Sequence, residues 1–162
     1  MRYFLVVLFI ITSSIRLIAE SPEVSKKFEK EISKHFESEI IRKVKINELS
    51  NNNELFFSVY NGEKKIGLVV LTSTKGRFDK FDYMIIYNTE FEIELIRILV
   101  YRSEYGSEIT AKRWLSQFYT KKEDSLKYGS DIQAISGATF SASSLTKSIN
   151  RINNIIKEYK GF

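Results

Sequence analysis

Four small residues, Ser136-Gly137-Ala138-Thr139, stand between an apolar stretch, Ile132 to Ile135, and a segment with helical periodicity. That placement suits anion binding. The first N–H groups of a helix have no intrahelical partners, and the helix dipole leaves partial positive charge there. Gly137 lets the chain turn sharply and lets a ligand approach the backbone. Ser136, Ala138, Thr139 and Ser141 leave room for a phosphate and offer hydroxyls to it. On residue types alone the same stretch also reads as an ordinary cap and turn. It is not a P-loop, because the lysine is missing, and not a dinucleotide fingerprint, because the glycines are missing.

The elements that must position this segment follow from hydrophobic spacing. Ser21-Pro22-Glu23 is a helix opening with a capping hydroxyl, and Val24, Phe28, Ile32, Phe36 and Ile40 give one apolar face over about 22–40. Asn51-Asn52-Asn53 signals a turn. Residues 54–60 and 64–72 read as a hairpin closed by Asn61-Gly62, and 81–87 and 93–101 as two further strands joined through Asn88-Thr89-Glu90. Ser107 caps a short helix whose inner face is Ala111, Trp114, Leu115 and Phe118; residues 120–130 read as a loop. The last helix, about 141–159, buries Leu145, Ile149, Ile152 and Ile156 and turns Lys147, Arg151 and Lys157 to water. The expected class is α+β, an antiparallel sheet with packed helices behind an N-terminal signal segment.

Composition narrows the chemistry. The 162 residues hold no cysteine and one histidine, His35. Disulfides, thiolate metal sites, iron–sulfur clusters and cysteine nucleophiles are excluded, and His35 reads as a partly exposed surface residue. The net charge of +5 falls to +3 without Arg2 and Arg16, and no basic stripe for nucleic acid stands out. Met1-Arg2, the apolar run Tyr3 to Ile11 and Ala19 read as a signal peptide, with an uncleaved anchor as the rival reading. Either expectation is an exported domain, periplasmic or on the outer face of the cytoplasmic membrane. The domains expected are 1–20, signal or anchor; 21–74, an N-terminal helix and hairpin extension; and 75–162, the core.

Gln133-Ala134-Ile135-Ser136-Gly137-Ala138-Thr139-Phe140-Ser141 resembles the flavinylation motif of the FMN-binding domain family. That family includes periplasmic flavin subunits of the Rnf and sodium-translocating NADH:quinone oxidoreductase complexes. The stretch from Lys75 to Met84 resembles the approach to the family's central strands. Arg102-Ser103-Glu104-Tyr105-Gly106 resembles a segment near the flavin. The likeness covers about 75–149. It implies FMN joined by its phosphate to Thr139 through a dedicated flavin transferase. It further implies that Ser136, Gly137, Ala138 and Ser141 shape the turn and hold the phosphate. Glu104, Tyr105 and Gly106 would then lie near the ring, with Trp114 as a second aromatic candidate or plain core. The implied activity is electron transfer with membrane electron-transport proteins rather than turnover of a small substrate. Two other functions stay open on the residues: a non-redox phosphate- or partner-binding module of the envelope, and a small flavin reductase.

Overall fold

The computed structural model describes residues 21–37, 41–119 and 125–159; the stretch 1–20, expected to be a signal or anchor, lies outside them. Its centre is a five-stranded antiparallel sheet in the order β1-β2-β3-β4-β5. The strands are β1 (Arg42–Lys45), β2 (Glu54–Asn61), β3 (Lys64–Lys75), β4 (Lys80–Tyr87) and β5 (Ile93–Val100). β3 and β4 are paired from Leu68↔Tyr87 to Lys75↔Lys80, so the hairpin of the N-terminal half supplies the middle of the sheet.

Period-two alternation divides the strands between two cores. Leu55, Val59, Val69, Leu71, Met84, Ile86 and Leu95 face α1 (Pro22–His35), which buries Val24, Phe28 and Ile32 against them. Phe56, Leu68, Val70, Phe81, Tyr83, Ile85 and Ile96 face α3 (Thr139–Glu158), with Leu145, Ile149, Ile152 and Ile156 opposite. A sheet covered on both faces explains why β3 and β4 read as nearly unbroken apolar runs.

Several elements differ from the sequence reading. α1 stops at His35, because Phe36 is its cap and Glu37 takes φ +49°. A left-handed residue there ends a helix, whatever the apolar spacing beyond it. Ser21 makes no side-chain cap; its carbonyl accepts from the Ser25 N–H at 3.1 Å. The helix expected after Ser107 is three short pieces, a 3-10 turn at Ser107–Thr110, α2 (Lys112–Leu115) and a second 3-10 turn at Ser116–Phe118. Its cap is Gly106 in the left-handed region rather than Ser107, which lies inside the first turn. Trp114, Leu115 and Phe118 are buried there, but Ala111 is exposed. These pieces cover the outer edge of β5, where the Tyr119 hydroxyl receives the Ile96 N–H at 3.1 Å. β1 was not legible and blunts the other edge with Arg42, Lys43 and Lys45. Arg151 does not simply face water; it pairs with the buried carboxylate of Glu54. His35 is half-buried and lies 3.0 Å from Glu94. Among the described residues no helix is long and apolar enough to cross a membrane.

Two tyrosines tie the sheet to α3. The Tyr83 hydroxyl donates to Ser148 and the Tyr87 hydroxyl to Asn153, each at 2.8 Å. Burial raises both phenols well above their ordinary value of 10.0. A raised folded value means the native state holds its proton longer. The stability is therefore complete below about pH 10 and is lost as pH climbs through the folded values. The melting temperature is expected to fall steeply above about pH 10. Y87F should flatten that slope while costing about 1 kcal/mol at neutral pH for the unpaired Asn153. A pH series of thermal melts reads both effects.

Candidate functional site

The segment before α3 is held from behind. The Trp114 indole N–H donates to the Gln133 carbonyl at 2.8 Å, and the Gln133 N–H donates to the Gln117 side chain at 2.8 Å. Trp114 is 6% exposed, so it buttresses the segment as core and does not face the Thr139 pocket. The Tyr128 hydroxyl receives the Ile135 N–H at 2.8 Å, and Ile132 is fully buried. The chain then turns at Gly137, with φ +81° and open space where a side chain would stand. Only glycine holds that φ without cost, and its bareness leaves the turn open to a ligand.

Thr139 is the first residue of α3. The first intrahelical bond runs from the Ala142 N–H to the Ala138 carbonyl at 2.9 Å. The N–H groups of Thr139, Phe140 and Ser141 therefore precede the helical ladder and point out of its end. The Thr139 side chain is exposed, and its hydroxyl reaches only a distant acceptor, the Ile135 carbonyl at 3.5 Å. Such a contact barely restrains it. No histidine or carboxylate lines the pocket beside it. His35 sits against Glu94, near the opposite end of β5.

Around this hydroxyl lies a pocket of about 340 Å³, walled by Arg77, Tyr105, Gly137, Ala138, Phe140 and Ser141 as well as Thr139. Its walls come from three places in the chain: the β3–β4 turn, the segment after β5, and the start of α3. One hydroxyl binds the last two together. The Tyr101 phenol donates to the Tyr105 carbonyl at 2.8 Å and lies 3.0 Å from the Ser141 hydroxyl. With its one proton on the carbonyl, Tyr101 receives the Ser141 proton. Gly106 closes the back: at φ +82°, an added side chain would meet the Tyr101 hydroxyl at 2.9 Å and the Ala138 backbone at 3.3 Å.

The structure thus brings together Thr139, Gly137, Ala138, Ser141 and Tyr105, with Gly106 packed behind them. Ser136 lies apart, lining a neighbouring groove with Trp114 and Gln133. Glu104 is exposed and lines neither. Arg77, Tyr101 and Phe140 are functional candidates missed in the sequence. Arg77 was visible as a cation beside Gly76, and Phe140 as an apolar residue on the outer side of a helix start. Nothing local marks Tyr101, whose role depends on a long-range contact. Among the described residues no cluster of His, Cys, Asp and Glu suits a metal ion. Comparison with protein-family models found no match, and comparison with the curated proteins found none.

Proposed function

We propose that this chain is an extracytoplasmic electron-transfer domain that carries FMN esterified through its phosphate to Thr139. The observation that carries this reading is the placing of an exposed, weakly restrained threonine hydroxyl on the first turn of a twenty-residue helix, at the edge of an aromatic- and arginine-walled pocket. The N–H groups of Thr139, Phe140 and Ser141, with the Arg77 guanidinium, suit the single negative charge of a phosphodiester. Tyr105 and Phe140, 64% and 51% exposed, offer flat apolar surface to a conjugated ring. The volume falls within the roughly 300–1,000 Å³ common for small-molecule sites.

When bound, the flavin supplies the redox chemistry; the protein supplies position and charge. Among the described residues none that lines the pocket offers Thr139 a base, so activation of the hydroxyl falls to an external flavin transferase. The ester would form by attack of the threonine oxygen on the phosphorus of an activated flavin nucleotide brought by the transferase, with the hydroxyl proton and the broken P–O bond going to that donor's leaving group. Relative to free FMN the net change would be the loss of one water. The tight pairing of Ser141 with Tyr101 keeps the first turn of α3 fixed, which holds a tethered ring in one place for exchange with membrane electron-transport proteins.

The test is co-expression with a flavin transferase of the same organism, followed by acid precipitation. Flavin absorbance that stays with the precipitated protein is the expected result. A colourless precipitate, with the transferase shown to act on another substrate, overturns the proposal.

A further inference from the structure

Of the five exposed large hydrophobic residues among those described, Phe78, Tyr105 and Phe140 gather at one end of the sheet. Tyr105 and Phe140 wall the Thr139 pocket. Phe78 does not. It stands in the four-residue turn of the β3–β4 hairpin, 67% exposed, with its ring 6.4 Å from that of Tyr105. The Arg77 guanidinium lies 5.3 Å from the centre of its ring, yet Phe78 is the most exposed of the five.

The strand ends beneath this turn carry Lys75 and Lys80, paired across the hairpin and both exposed. They line a polar groove of about 700 Å³ with Asn51, Asn52, Ser73 and Thr74. Arg151, also in the groove, is held by Glu54, so the two lysines set its net charge. An apolar ring beside a basic, amide- and hydroxyl-lined groove matches a phospholipid: acyl chain and glycerol at the ring, phosphate headgroup in the groove.

The path of the chain points to the same surface. α1 runs antiparallel to β5, since His35 meets Glu94 and Glu31 meets Arg97. Pro22 therefore lies beyond the Val100 end of β5. There Arg102 donates to the Lys80 carbonyl at 2.9 Å, beside the hairpin turn. α1 begins at this end, and in the sequence the residues before it carry the apolar run Tyr3 to Ile11.

We propose that the β3–β4 hairpin seats Phe78 in the headgroup region of an anionic phospholipid bilayer, with Lys75 and Lys80 on the lipid phosphates. Aromatic rings favour that depth, and each basic residue near an anionic surface adds attraction. The Thr139 pocket shares the end of the sheet with the hairpin, so docking holds it at the membrane surface. This inference does not need the flavin, and its test runs on protein without one.

The test uses the full chain with a tryptophan reporter, F78W, on vesicles of equal parts phosphatidylglycerol and phosphatidylcholine carrying bromine close to the headgroups. Trp114 is buried and supplies the baseline in the parent protein. E63W, in the β2–β3 turn at the opposite end of the sheet, is the second reporter. The F78W signal is expected to be quenched and the E63W signal not. In an F78W background, K75Q/K80Q should lower the ratio of docked to undocked hairpin about 25-fold, about five-fold per lysine, equivalent to about 1 kcal/mol each. An unquenched F78W signal overturns the proposal and leaves the hairpin to an acidic protein partner. Equal quenching of both reporters overturns it as well.

Discussion

Thr139→Ala is expected to abolish covalent flavin completely while leaving the fold intact. The side chain is exposed, and its one hydrogen bond, to Ile135, is long. Its removal should change stability by less than about 0.5 kcal/mol, as at other surface positions free of special features. Melting temperature should therefore hold while flavin retained after denaturation falls to background. Thr139→Ser keeps a hydroxyl at the same place and should keep measurable loading. In-gel flavin fluorescence of the denatured variants reads this directly. Loading that survives Thr139→Ala would move the attachment elsewhere.

Gly106→Ala should lower stability well beyond what a single methyl group on the surface would cost. Two costs combine there. A left-handed φ of +82° strains any residue with a side chain, by about 1 kcal/mol. The new methyl also meets the Tyr101 hydroxyl at 2.9 Å and the Ala138 backbone at 3.3 Å. Tyr101 cannot yield freely, because its hydroxyl ties Tyr105 to Ser141. Overpacking of this kind adds about 1–3 kcal/mol, for a total of about 2–4 kcal/mol. Gly129 isolates the first cost. Its φ is +88°, but nothing lies within 4 Å of an added methyl. Gly129→Ala should cost about 1 kcal/mol only. Denaturant melts of the two variants measure the difference. Gly106→Ala should also depress flavin loading, because relief of the clash shifts Ala138 and with it Thr139. Equal destabilisation of the two variants would mean that the contact behind Ala138 is slack.

Much of the architecture was legible because burial leaves a periodic mark. The spacing of Leu145, Ile149, Ile152 and Ile156 placed α3, the Asn61-Gly62 turn after an apolar run placed the strand at 54–60, and alternation placed that at 93–101. β1 left no such mark. Its four residues, Arg-Lys-Val-Lys, lie on an edge with no buried member, so neither alternation nor an apolar run exists to read. The end of α1 was misread for the opposite reason. Phe36 continues the apolar spacing and does pack on the sheet, but from a cap rather than from within the helix.

The site divides in the same way. Helix start, glycine turn and exposed hydroxyl are local features, and Ser136 to Ser141 displays them in order. What closes the pocket is not local. Tyr101 reaches forty residues to Ser141, and Arg77 enters from a hairpin turn. Ser136 belongs to the motif by sequence but lines the neighbouring groove, because the turn at Gly137 sends it to the other side.

The most direct measurement is the intact mass of the chain after co-expression with an active transferase, followed by mapping of the tryptic peptide Tyr128–Lys147. The expected result is a gain equal to FMN less one water, confined to that peptide and assigned to Thr139 by fragmentation. An unmodified mass, or a flavin found on any other peptide, would contradict the account.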